Sequence, residues 1–243
     1  MPHLHKALPL CVSLPRHHHN FDKMIIKYIF LSFLFVTVSL NSNAQDEITI
    51  YKKLFAYSDS LSKTDEKGVI SMETNTALSI LDKQHPAGFF DKSSNLLKSG
   101  KFNDAAFVYY VGYFRYRYFN LANPDYKPSE DGALLGSLKY VIGEPINLFL
   151  RSDINNFIKI LENTKVWLTN NDYKFFSKTK NIEKYNEELS QLDTLITDFS
   201  TNKVKYKNQW EKEQNETRKA IVEMDSQKPK AILKKKPKAK KKA

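Results

Sequence analysis

Arg115 and Arg117 stand two residues apart in FVYYVGYFRYRYF, Phe107–Phe119, where eight of thirteen side chains are aromatic. A guanidinium stays charged and presents a planar fork of donors, so among tyrosine hydroxyls it suits a carboxylate or phosphate held in a groove. Tyr110 and Tyr113 supply hydroxyls in the same stretch. Glu144 and Asn147 lie in GEPIN, a Gly/Pro-broken segment of the kind that can line a pocket. These six residues are the candidate groove for a ligand or partner. On a helix the two arginines point about 160° apart, so they do not form one clamp. Each is expected to pair with a nearby acid, with Glu130, Asp131, Glu144 and Asp153 as the candidates.

Few other chemistries are available. Two carboxylates, Glu144 with Asp131 or Asp153, could in principle flank a glycosidic bond. Residues 45–227 hold 26 acids, however, so such pairs arise by chance and carry no expectation of an enzyme. His85 is the sole histidine after His19, which leaves no second histidine for a metal and no triad except around His85. Cys11 is the sole cysteine, so residues 24–243 contain no disulfide, thiolate zinc site or thiol nucleophile. Glycine-rich phosphate loops, HExxH and GxSxG are absent from the sequence. No catalytic residue, metal or cofactor is expected.

The elements that must position these residues are helical. Apolar side chains recur at helical spacing with few prolines or glycines between them, and no long apolar/polar alternation suggests a strand. Ile50, Leu54, Tyr57 and Leu61 mark a first helix over 46–62, and Ile70, Leu78 and Leu81 a second over 69–81. A third is expected over 88–97. The fourth carries the arginines. Phe107, Val111, Phe114 and Tyr118 form one of its stripes, and Ala105, Tyr109, Gly112 and Tyr116 another on nearly the opposite side. A helix apolar on two sides is buried between others, and Ala105 and Gly112 would let a neighbour approach closely. After a loop over 120–133, one helix is expected from Ser129 to Val141, broken at Gly143–Pro145. A short apolar piece follows to Leu150, and a helix capped by Ser152 or Asp153 runs to Trp167. Residues 181–224 read as one or two long polar helices, with Tyr185, Leu189, Leu192, Leu195, Ile196 and Phe199 as the stripe.

The segment GKFNDAAFVYYVG, Gly100–Gly112, resembles the second half of a tetratricopeptide or Sel1-type repeat, through Gly100, Phe102, Ala105, Tyr109 and Gly112. Phe89, Ser93 and Leu96 suit the first helix of such a unit, so the likeness spans about Phe89–Gly112, without a second copy in the chain. It implies an antiparallel helix pair of the kind used to bind other proteins.

The two ends read as addresses. MIIKYIFLSFLFVTVSLNSNA, Met24–Ala44, has a lysine, an apolar run of about 13 residues and a small-residue junction, which is the pattern of a secretory signal peptide cleaved between Ala44 and Gln45. Residues 1–23 are then expected to be upstream sequence outside the true start. The junction resembles those of exported Bacteroidetes proteins, and the expected location is the periplasm or beyond. With the signal removed, no transmembrane segment is expected.

At the other end, Lys228, Lys230, Lys234, Lys235, Lys236, Lys238, Lys240, Lys241 and Lys242 account for nine units of the chain's net +11. Two more lie in Met1–Lys23 and one at Lys27, which leaves residues 45–227 at −1. The basic character therefore belongs to a tail, 228–243, expected to be disordered and to attract an anionic envelope polymer or lipid head groups. Such lysine-rich tails resemble those of linker histones, but export argues against nucleic acid. The expected organisation is a helical domain over 45–180, a long polar helix or pair over 181–227, and the tail. The expected function is that of an exported, non-enzymatic helical domain binding another protein, of unidentified kind. The alternatives are an immunity-type protein that neutralises a secreted toxin, and a polyanion binder acting through its tail.

Overall fold

In a computed structural model, residues 43–233 are described at the level of backbone and residues 48–226 with their side chains. The expected leader, nearly all of the signal peptide and Lys234–Lys242 of the tail lie outside these residues. The regular structure of the described residues is all helical, without strands, and residues 47–233 lie in one compact unit. None of the described helices is long and apolar enough to cross a membrane.

The order is α1 (Asn43–Leu61), α2 (Met72–Leu81), α3 (Ala87–Lys98), α4 (Phe102–Ala122), α5 (Ala133–Leu138), α6 (Glu144–Leu150), α7 (Ile154–Asn170), α8 (Ile182–Thr201) and α9 (Lys203–Leu233). Single π-helical turns, Pro128–Gly132 and Lys139–Gly143, flank α5, and a 3-10 turn, Lys178–Lys180, precedes α8.

Helix α4 is the axis of the fold. Seventeen of its 21 residues are buried, which only a helix enclosed on all sides can show. Its two stripes face different neighbours. Ser93 Oγ donates to the Ala105 carbonyl at 2.8 Å, Phe90 meets Tyr109 edge-on with centroids 5.4 Å apart, and Phe89 lies on Gly112, so α3 runs antiparallel along this side. On the other stripe Phe107 meets Trp167 of α7 at 6.3 Å, and Tyr118 meets Tyr185 of α8 at 5.0 Å. A Cβ added to Gly112 would come within 2.9 Å of Phe89 Cγ, so the α3–α4 contact is closed to any larger residue.

Local chemistry sets several boundaries. Asp153 caps α7, its Oδ1 accepting from the N–H groups of Asn155 at 2.9 Å and Asn156 at 3.0 Å. Helix α2 starts at Met72, three residues later than its periodicity predicts. Ser71 caps it instead, with its own N–H held by Asp104 at 2.9 Å. The helix expected over Ser129–Val141 is divided. Pro145 has no N–H to give the Val141 carbonyl, and the ladder widens into the π turn that ends at Gly143. Gly143 is also where Tyr109 of α4 arrives: a Cβ there would lie 2.9 Å from Tyr109 Cζ.

The polar stretch after residue 181 forms two helices that break at Asn202. The buried seam of α8 is Tyr185, Glu188, Leu192, Leu195 and Phe199, so a carboxylate stands where Leu189 was expected. Helix α9 does not project. It packs through Tyr206, Trp210, Gln214 and Ile221, and Arg218 forks onto Asp59 of α1 at 2.7 and 3.1 Å while lying 4.3 Å from the Phe55 ring centroid. Its backbone stays helical to Leu233, so Lys228 and Lys230 of the expected tail stand on that helix.

Candidate functional site

The arginines of α4 do meet acids, but these are Asp82 and Glu188 in place of Glu130, Asp131, Glu144 or Asp153. Arg115 is wholly buried. Its Nε donates to Asp82 Oδ1 at 3.1 Å, Nη1 to the Tyr185 hydroxyl at 2.9 Å and Nη2 to the Asn171 carbonyl at 2.8 Å. The guanidinium also lies 5.2 Å from the Tyr173 ring centroid. Asp82 accepts a second hydrogen bond from Trp167 Nε1 at 3.2 Å, and the Tyr185 hydroxyl passes its own proton to the Leu168 carbonyl at 2.5 Å. Burial lifts the Asp82 carboxyl above its ordinary range, against the pull of Arg115 and Trp167. All three guanidinium nitrogens are thus engaged inside the protein, tying the end of α2 to the α7–α8 connection and to α8.

Arg117 builds a second cluster. Its Nε approaches Glu188 Oε2 at 2.8 Å, and Nη2 donates to Glu188 Oε1 at 3.0 Å and to Gln191. It lies 5.6 Å from the Tyr113 ring centroid, with Lys139 at 5.6 Å from the same centroid. Burial raises the Glu188 carboxyl above its ordinary value, opposed by Arg117. About two turns back from Arg117 along the same face, Tyr110 donates to Asn147 Oδ1 at 2.8 Å in a buried bond that joins α4 to α6.

Of the six candidate groove residues, the structure therefore pairs Tyr110 with Asn147 and Tyr113 with Arg117. Arg115 belongs to a separate cluster, and Glu144 is exposed in the first turn of α6. The acids considered for carboxylate chemistry hold other positions. Asp153 caps α7 and faces Lys67 at 3.8 Å. Asp131 Oδ1 accepts from the Tyr116 hydroxyl at 3.0 Å and lies 3.2 Å from His85 Nε2. No group of three potential metal-ligating side chains is present among the described residues.

Asp82, Glu188 and Asn171 carry these clusters and had no signal in local spacing. Asp82 ends a helix in LDKQHP like any surface acid, and its role depends on a partner 33 residues away.

Comparison with known proteins finds no matching family model, no matching curated protein and no matching solved structure.

Proposed function

We propose that this chain is an exported, non-enzymatic helical domain of the bacterial envelope that binds another protein. The observation that carries the reading is the outward face of α2. Thr74, Leu78 and Asp82 turn inward, while Met72, 84% exposed, and Ile80, 56% exposed, stand on the opposite side. On that exposed side these two apolar side chains stand among Glu73, Asn75, Thr76 and Ser79, a mixed surface of the kind that partner proteins cover, and methionine adapts to varied partner surfaces. The α3–α4 pair is antiparallel and close-packed at Gly112, an arrangement in which helical pairs can present a face to a partner. The internal engagement of Arg115, Arg117, Asp131 and Asp153 supports a structural rather than a catalytic use of the charged groups.

The test is a photo-crosslinking amino acid placed at Met72, compared with one at Glu216, in the exported protein inside living cells. A discrete protein adduct from position 72 alone, lost when Ile80→Asp is added, supports the reading. The adduct's identity separates an adaptor from an immunity protein. A correctly exported, folded protein that gives no position-specific adduct refutes it.

A further inference from the structure

Residues 171–184, the α7–α8 connection with the first residues of α8, read NDYKFFSKTKNIEK, with four lysines against Asp172 and Glu183. The segment is irregular apart from its 3-10 turn and the start of α8, yet it is fastened along its length. The Tyr173 hydroxyl donates to the Gln84 carbonyl at 3.0 Å and the Phe175 N–H to the Asp82 carbonyl at 2.9 Å. The Lys178 N–H reaches Asp172 Oδ1 at 3.0 Å, and the Tyr118 hydroxyl donates to the Ser177 carbonyl at 2.9 Å. Tyr173 and Phe176 are buried by this arrangement.

What the fastened segment displays is less ordinary. Phe175 is 41% exposed and Ile182 52% exposed, and they alternate with the exposed Lys174 and Lys180. Leu121, 47% exposed, stands on α4 one turn beyond Tyr118, which holds Ser177. Lys180 is exposed, and its Nζ lies over the Phe176 ring at 4.7 Å from the centroid, a cation–π contact at the edge of the apolar surface. Three acids lie close by in the chain: Glu183 is exposed beside Ile182, Asp172 accepts from the Lys178 N–H, and Glu187 pairs with Lys184 at 3.0 Å.

We infer that this segment is a membrane-contact site, in which Phe175 and Ile182 enter the head-group region of an anionic bilayer while Lys174 and Lys180 meet lipid phosphates. Apolar side chains interleaved with basic ones are the pattern of shallow interfacial binding. The charges are lysines, compact and without preferred geometry, which suits a diffuse anionic surface; an acidic peptide would favour the fork of an exposed arginine. The site lies on the folded body and is separate from the lysine tail and from the α2 face.

The test uses the chain from Gln45, which has no cysteine, with an environment-sensitive fluorophore on Phe175→Cys. The same label on Ile182→Cys serves if circular dichroism shows the first to be misfolded, and a label on Val222→Cys of α9 is the control. Vesicles of phosphatidylglycerol and phosphatidylcholine should shift emission at 175 or 182 to the blue and leave 222 unchanged, while phosphatidylcholine alone should do little. Lys174→Gln with Lys180→Gln should weaken the response about thirtyfold at low salt. If the protein sediments with anionic vesicles and the label at 175 or 182 stays unchanged, the tail alone binds and the inference fails. It fails equally if neutral vesicles act as well as anionic ones, or if polyglutamate shifts the label and vesicles do not.

Discussion

Replacing Arg115 by methionine tests whether the buried guanidinium is the structural tie between α2, α4 and α8. The substitution keeps much of the stem's volume and removes every donor. Asp82, almost fully buried, is left with Trp167 as its remaining hydrogen-bond donor among those described above, and the Asn171 carbonyl loses a charged partner. Removing one member of a buried, hydrogen-bonded ion pair costs about 3 to 5 kcal/mol, a large part of the roughly 5 to 15 kcal/mol that holds a domain folded. Adding Asp82→Asn to Arg115→Met takes away the stranded charge and should return about 1 to 2 kcal/mol, so the two substitutions should be clearly non-additive. Urea unfolding followed by circular dichroism supplies the free energies. Trp167 fluorescence reports locally on Asp82, to which its indole donates. A loss below about 1 kcal/mol for Arg115→Met with unchanged denaturant dependence, or strict additivity of the pair, would refute this account and return Arg115 to the ligand-binding candidates.

Gly112→Ala should destabilise by about 1 to 3 kcal/mol, because its Cβ must displace Phe89, and an unchanged melting temperature would show that α3 can move aside. Asp153→Ala should cost about 1 kcal/mol in urea unfolding through loss of the α7 cap. Alkali should unfold the protein. Burial, the main cause, raises Tyr116, Tyr118, Tyr173 and Tyr185 above the ordinary phenol value, and burial with the Asp198 bond lifts Tyr206 to about 12. A raised phenol pKa in the folded state gives stability that is complete below the unfolded value near 10 and is lost as pH rises through the folded values. Absorbance at 295 nm should therefore lag and then rise together with loss of helical circular dichroism above about pH 11. Full tyrosine ionisation with retained helicity would count against this.

The sequence by itself determined the helical class, a cap at Ser152 or Asp153, the two stripes of α4 and the small residue at Gly112. Each depends on spacing within one helix or on the size of one side chain, and such features are fixed before any tertiary contact forms. It also signalled that the arginines would be neutralised, since a charge on an enclosed helix is costly without a partner. Which partners they have was decided by the tertiary structure. Asp82 stands 33 residues before Arg115 and Tyr185 70 after it, and Glu188 lies 71 residues beyond Arg117. A chain with 26 acids in its body offers many pairings that are equivalent in sequence, and only the packing of α2 and α8 against α4 selects among them. The same holds for residues 173–184. Their composition was plain from the sequence, but Phe176 is buried while Phe175, packed on His85, Phe119 and Tyr173, stays partly exposed, because Asp82 and Tyr118, both distant in the chain, hold the backbone between them.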